Sequence, residues 1–285
     1  MTAARRLHVD GVAFWSPTLP GWPAARAALR DAADGAAPTA LDTPVAPARR
    51  PAPALLAANE RRRAPDSVLL ALEVASAATA DAGHDAGDLA SVFTSAHGDL
   101  PIIDALCTTL AADPLLLSPT RFHHSVHNAA SGYWAIASGS RAASTALAAY
   151  EYSFAAGLLE AAAVCAADGV PVLLVAGDTA AVGGLASTNR SRGLLALALV
   201  LSPRPGPRSR WQLDWQLQAG HAAAPPLRSA AARKLADNAM ADAMPFAEAL
   251  AAGAAATLAL PLGPALHLAL DLQLHAPPPR QPAAT

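Results

Sequence analysis

The sequence predicts an α/β fold, a central mixed sheet with helices on both faces. Two observations carry that expectation. Residues 172–177 and 194–201 are unbroken apolar runs of strand length, the pattern of strands covered on both sides rather than one. Strand-like and helix-like segments also alternate along the chain, with no repeat of solenoid or propeller length, which argues for stacked layers over a barrel or a bundle.

In chain order, residues 7–15 read as a first strand, ended by Ser16 and Pro17. Residues 22–33 read as a short amphipathic helix with Pro23 in its first turn. Residues 36–58 hold Pro38, Pro44, Pro47, Pro51 and Pro53, which predicts a surface loop. After Arg61, Arg62 and Arg63, the run Pro65, Asp66, Ser67 opens a long helix to Ala82. A strand over 89–94 and a helix over 101–112 follow. Residues 122–138 are expected to be mostly helical, with Gly132 where another backbone can come close. A strand over 144–148 then leads into a small-residue, buried helix over 151–167. Beyond the two apolar strands, Trp211, Leu213, Trp215 and Leu217 alternate in period two and share one strand face. Helical segments are expected on either side of Pro245. Residues 254–260 and 265–274 read as a closing hairpin turning through 261–264.

At 285 residues the chain is long enough to bury a substantial core, and the expected organisation is one domain over 1–275 with a frayed tail over 276–285. A net charge of −2 argues against nucleic acid or an anionic membrane surface as partner. Neither a signal-type apolar stretch after the N-terminal arginines nor a run long enough to cross a membrane is evident, so a cytoplasmic protein is expected. Cys107 and Cys165 form no disulfide framework or metal motif, and both read as small buried hydrophobes. The glycines around Gly177, Asp178, Gly183 and Gly184 lack a phosphate-loop or dinucleotide pattern and read as strand-end turns.

The most informative segment begins Ser118, Pro119, Thr120, Arg121, Phe122, His123, His124, Ser125, Val126, His127, Asn128 and runs through Gly132 to Gly139, Ser140 and Arg141. With residues 11–17, the Glu60–Arg63 entry to the long helix and residues 154–161, it resembles the short β-ketoacyl synthase N-terminal-domain family. That family includes chain-length-factor-like proteins of aryl polyene and xanthomonadin-type pigment clusters. The resemblance implies a truncated thiolase-like layered fold. In ketosynthases the matching segment has a serine-proline opening, an asparagine, a glycine and a Gly-x-Arg-Gly-Pro turn. A strand then delivers a cysteine to the N-terminus of a buried helix. Here these features match Ser118 and Pro119, Asn128, Gly132 and residues 139–143, with Ala142 and Ala143 in place of the Gly-Pro.

The resemblance places the cysteine position on Glu151 when the segment is laid without gaps, and on Tyr152 when counted back from the 172–177 strand. Neither accepts an acyl group from a thioester. The chain is also expected to end before the second half that supplies the family's two histidines, and His221, His267 and His275 have no motif context. The expected function is therefore a partner of a catalytic ketosynthase: a non-catalytic, chain-length-factor-like subunit that forms a heterodimer, shapes the acyl channel and works with an acyl carrier protein. No catalytic residue, cofactor or metal is implied. Two alternatives stay open, a malonyl-carrier decarboxylase using Glu151 and a homodimeric scaffold binding carriers or acyl chains. The resemblance puts Phe122, His123, His127, Asn128 and Tyr133, with Ser144, Thr145 and Tyr150, at the channel or interface.

Plainer readings stand beside these. Glu151 could be a helix-capping carboxylate, and Tyr150 and Tyr152 core aromatics. His123 and His127, four apart, would share one helical face, but nothing nearby completes a metal site. Arg61 to Arg63 could meet an acidic carrier or be a solvated run.

Overall fold

The structure is a computed structural model that describes residues 5–30 and 50–275. Residues 31–33 of the expected first helix, most of the proline-rich loop and the expected tail lie outside the described residues. The elements in order are β1 (Arg5–Ser16), β2 (Leu19–Pro20), α1 (Trp22–Arg30), α2 (Ala58–Arg63), α3 (Asp66–Ala82), β3 (Ala90–Thr94), α4 (Leu100–Ala112), α5 (Pro119–Ser125) and α6 (Ala129–Ser138). Then come β4 (Ser144–Leu147), α7 (Ser153–Asp168), β5 (Val172–Asp178), β6 (Leu195–Ser202), β7 (Trp211–Ala219), α8 (Ala230–Lys234), α9 (Met244–Ala252), β8 (Ala256–Gly263) and β9 (Leu266–Leu274).

One mixed sheet runs β4-β3-β5-β6-β1-β7-β9-β8, with β2 added to β1. The pairs β3–β4 and β3–β5 are parallel, and the others are antiparallel. The two apolar runs occupy the middle, and β6 is buried along its whole length. Its alternation sorts the two faces by size. Leu195, Leu197, Leu199 and Leu201 point to the layer holding α1, α7 and α9. Ala196, Ala198 and Val200 point to the layer holding α3 and α6. Small residues on that side let α3 sit close.

The closest approach is at Gly11 of β1, where an added Cβ would lie 2.2 Å from the Ala78 carbonyl oxygen and 2.8 Å from the Ala82 Cβ. Gly11 follows a β-bulge between Val9 and Gly11. The bulge shifts the alternation by one residue, so Leu7 and Val9 before it and Val12 and Phe14 after it all face the same core. On the other face Gly157 of α7 plays the equivalent part, since a Cβ there would lie 2.6 Å from Thr94 Cγ2.

Several expectations need correction. The helix expected over 122–138 is two helices, broken at Val126, His127 and Asn128. No backbone of the described chain comes near Gly132, around which a Cβ would meet nothing within 4 Å. Cys165 is buried, but Cys107 is exposed on α4. Pro245 lies in the first turn of one helix rather than between two, where its missing N–H costs nothing. The closing hairpin turns at Pro264 and Ala265, because Pro261 is accommodated within β8 beside a register irregularity. Leu217 carries the alternation of β7 past the edge of the core and is 41% exposed.

The two glycine environments predict opposite outcomes for the same substitution. Gly11→Ala should destabilise the chain by about 3 kcal/mol through overpacking against backbone that cannot move aside. Gly132→Ala, in open space within a helix, should stabilise it by about 0.5–1 kcal/mol. Urea unfolding of the two variants measures both, and equal effects would contradict the close seating of α3.

Candidate functional site

The feature that organises the candidate site is the turn from β4 into α7. β4 is the outermost strand of the sheet and leads through Ala148 and Ala149 into a single 3₁₀ turn, Tyr150–Tyr152, before α7 begins. Tyr150 has φ 51°, and among the described residues it is the one non-glycine in the left-handed region. A bulky side chain is disfavoured there, so the surroundings must hold it. Ser153 does so directly: its Oγ accepts from the Ala149 N–H at 3.1 Å and donates to the Tyr150 carbonyl at 2.8 Å. Thr94 Oγ1 donates to the Ser153 carbonyl at 2.9 Å, tying the turn to β3. The Tyr150 ring is 55% exposed and meets His97 edge-on at 5.5 Å.

Two carboxyl groups that the sequence reading passed over lie beneath the turn. Asp178, the buried last residue of β5, accepts from Ser95 Oγ at 2.6 Å and from the N–H groups of Ala96 at 2.8 Å and His97 at 3.3 Å. It thereby shapes the loop that carries His97 to Tyr150. Its pKa is raised by burial, against the pull of those donors. Asp242 sits at the start of α7, where its Oδ2 accepts from the Phe154 N–H at 2.8 Å. Part of the residue reaches a neighbouring cavity, but its Oδ1 is shut off from solvent. Burial pushes its pKa up to about 8, opposed by the α7 amide and reinforced by the nearby Asp178. The one signal in the sequence was a lone acid within an apolar stretch, Met240 to Met244.

Glu151 is exposed, and the carboxyl bonded to the first turn of α7 is that of Asp242. The capping reading of Glu151 therefore passes to Asp242. Glu151 and the half-buried Tyr152 instead line a cavity of about 410 Å³ with Asp242, His221, Pro245 and Leu260. His221, which had no motif context, thus lines the same cavity as Glu151. His267 Nδ1 is 3.1 Å from the Gly220 carbonyl oxygen, and His275 stacks edge-on against His8. The two thiols are remote from this chemistry: Cys165 lies under β6, with burial pushing its pKa up to about 12, and Cys107 is on α4.

The remaining candidates fall on the α5–α6 face and the β4 edge. Phe122 is 65% exposed, and His123 is exposed beside it. The helix break puts His127 off the face of His123, so the shared helical face does not form. His127 Nε2 instead lies 3.0 Å from the Ser95 carbonyl oxygen, supporting the same loop as Asp178. Asn128 stands at the N-cap of α6 without a side-chain capping bond. Tyr133 turns inward, its hydroxyl 2.8 Å from His124 Nε2. Burial lowers the His124 pKa and raises that of Tyr133. On β4, Ser144 accepts from Ser91 Oγ at 2.9 Å, and Thr145 is half-buried. Among the described residues no group of three or more His, Cys, Asp or Glu side chains is placed to hold a metal ion. No described helix is long and apolar enough to cross a membrane.

The family model described as β-ketoacyl synthase, N-terminal domain, matches residues 36–264. No curated protein matches the chain. Among solved structures, the complex of the ketosynthase ApeO with its chain length factor ApeC from Xenorhabdus doucetiae aligns with a TM-score of 0.68 at 21% identity. That alignment covers 94% of this chain and 98% of the other. The AntDE:AntF complex, a type II polyketide synthase acyl-carrier protein with its ketosynthase bound to the hexaketide, aligns with a TM-score of 0.71 at 11% identity, over 95% and 99% of the two chains. The ishigamide ketosynthase/chain length factor aligns with a TM-score of 0.66 at 15% identity, over 95% and 99%. The fold is accordingly the thiolase-like fold of ketosynthases.

The raised pKa of Asp242 has a definite sign in stability. Unfolded, the carboxyl ionises near its ordinary value of about 4. Folded, it keeps its proton to about pH 8, so this group's contribution to stability is lost as the pH rises between those values. Asp242→Asn imitates the protonated form. Thermal melts should show little change at pH 4.5 and a Tm gain of about 3–6 °C at pH 8. A gain that does not grow with pH would show that Asp242 is ionised in the fold.

Proposed function

Because the chain belongs to the β-ketoacyl synthase N-terminal-domain family, we propose that it is the chain-length-factor-like partner of a cysteine-bearing ketosynthase. On this reading it forms a heterodimer with that subunit in the cytoplasm. It shapes the channel that holds the growing acyl chain, and it serves a type II, aryl-polyene-like pathway fed by an acyl carrier protein. The observation that carries the reading is the β4–α7 turn. It has the built geometry of a strand-to-helix site and presents Tyr150, Glu151 and Tyr152, with both thiols of the chain elsewhere. A thioester-exchange nucleophile must be a reactive thiolate, and none of these three side chains supplies one. Glu151, or less directly Tyr152, is the residue proposed at the cysteine position. Tyr150 holds the strained backbone conformation just before it.

The surface around β4 supports pairing. As an edge strand it leaves one row of backbone groups without a partner in this sheet, a template for a strand of another chain. The exposed large apolar side chains concentrate on the adjoining elements: Leu115 at 93%, Ile136 at 85%, Leu116 at 72% and Phe122 at 65%. Phe122 and Ile136 come from α5 and α6, which contact each other, and α6 reaches β4; Leu115 and Leu116 lie in the turn after α4, a helix that packs on α5. Exposed apolar side chains beside a sheet edge favour a protein partner.

A second reading, malonyl-carrier decarboxylation, is favoured by one observation: Glu151, Tyr152 and His221 share the 410 Å³ cavity. It predicts loss of CO₂ release in Glu151→Ala with the complex intact, and unchanged release ends it.

The pairing itself is tested by co-purification with a cysteine-bearing ketosynthase from the same gene neighbourhood. The wild-type chain should co-elute with it and change the length or rate of its products. Ile136→Asp should weaken association at least tenfold, with the Tm of the free chain nearly unchanged. A wild-type chain that stays a monomer beside the ketosynthase, or a variant that binds as well as wild type, overturns the proposal.

A further inference from the structure

The cavity of about 410 Å³ beside the β4–α7 turn joins a polar mouth to an apolar body. One wall is the segment between β7 and α8, which has no regular structure but is tied at both ends. At its start the Gly220 N–H donates to the Ala265 carbonyl at 2.9 Å. At its end the buried Glu248 accepts from the Ser229 N–H at 2.6 Å and the Arg228 N–H at 3.1 Å. Pro225 and Pro226 stiffen the stretch between. The cavity is therefore built into the fold, as ligand pockets usually are. Glu151 and His221 are exposed, and neither makes a side-chain hydrogen bond or ion pair among the described residues. Asp242 is bonded to α7 through Oδ2, and its buried Oδ1 has no hydrogen-bond partner among the described residues. Residues 222–225, Leu227, Pro245 and Leu260 supply most of the apolar lining, and no lysine or arginine belongs to it.

The lining decides what kind of molecule fits. Alanine, proline and leucine side chains accept an apolar body. The charge of a head group is decided at Glu151. A carboxylate or phosphate there meets a like charge, and no lining cation offsets the repulsion. An ammonium instead meets an unpaired carboxylate, finds an acceptor in a free ring nitrogen of His221, and has the Tyr152 ring beside it. Burial holds a proton on Asp242, so the cavity wall there carries little charge and suits the apolar body rather than the ammonium. We propose that this cavity binds a primary amine with an apolar aryl or alkyl body. Its ammonium would sit between Glu151 and His221, and its body would lie against residues 222–225 and Leu260. The inference rests neither on pairing with a ketosynthase nor on turnover at Glu151, since the amine is bound unchanged.

The test titrates the full chain calorimetrically with probes of one shape and different head groups: 4-phenylbutylamine, 4-phenylbutanol and 4-phenylbutyrate. The amine should bind about fivefold more tightly than the alcohol, the advantage expected of one partly exposed ion pair. The acid should bind more weakly than either, and added salt should weaken the amine alone. Glu151→Gln should bring the amine down to the alcohol and leave the alcohol unchanged. Glu151→Lys should reverse the order of amine and acid. Ala223→Trp puts bulk at an exposed position of the lining and should weaken amine and alcohol alike. Arg204→Glu, in a separate groove with Gly206 and Arg208, should change nothing. Melting curves check that each variant folds, and Ala236→Phe, also exposed on the lining, replaces Ala223→Trp if that variant melts early. The proposal is overturned if the amine does not bind, or if amine and acid bind equally. It is also overturned if Glu151→Gln keeps the preference for the amine, or if the bulky variant binds every probe like wild type.

Discussion

Two helices pressed against one sheet from opposite sides, each through a glycine at the contact, set the geometry that everything else uses. α3 rests on β1 at Gly11, and α7 rests on β3 at Gly157, each at a distance that excludes even a methyl group. Such contact requires small residues under α3, which Ala196 and Ala198 supply, and large ones on the opposite side, which the leucines of β6 supply. Close packing of this kind leaves little freedom to translate either helix. The start of α7 is therefore fixed relative to the ends of β3 and β5, and the chain reaches it from β4 through a single 3₁₀ turn. The left-handed backbone of Tyr150 lies within that turn, held by Ser153.

The polar groups beneath the turn then complete it. Three strand ends meet where Asp178 gathers the loop after β3, His127 supports the same loop from the break between α5 and α6, and Asp242 receives the first amide of α7. A carboxylate at a helix N-terminus is ordinarily favoured in its charged form. Here desolvation prevails over the amide donors, and Asp242 holds a proton near neutral pH. The balance suits a structural brace, a hydrogen-bonding group that carries no charge into a confined space beside another buried acid. The turn from β4 into α7 is thus braced by groups that carry little charge.

The sequence revealed the layers far better than the site. The apolar runs of β5 and β6 and the helix bounds at Asp66 and Ala82 were readable because periodicity and caps are local properties. The break at residues 126–128 was not. Nothing local marks it except the polar pair His127 and Asn128, and its reason is tertiary: His127 leaves the helix to bond Ser95, a residue 32 positions earlier. The same holds for Asp178 and Asp242, whose roles are set by loops distant in the chain. His221 was dismissed for want of a motif and reaches the cavity of Glu151 through the fold alone. The family resemblance directed attention to Glu151 and Tyr152, which lie in the turn from β4 into α7. It could not show which residue would take the strained conformation, because that depends on how Ser153 and Thr94 hold the backbone.

The turn presents no thiol and is still under constraint, which supports the proposal that its shape serves a partner. Had the site merely decayed, relaxation of Tyr150 to an ordinary backbone conformation would relieve a cost on the order of 1–3 kcal/mol. Ser153 instead bonds the Ala149 N–H and the Tyr150 carbonyl, and α6, which borders β4, and its neighbour α5 expose Ile136 and Phe122. Such exposure is a liability for a protein that works alone. Strain at the turn and apolar exposure at the edge lie side by side on β4 and its neighbours. Both costs are offset together if, as proposed, a second chain pairs with that strand and uses the wall beside it.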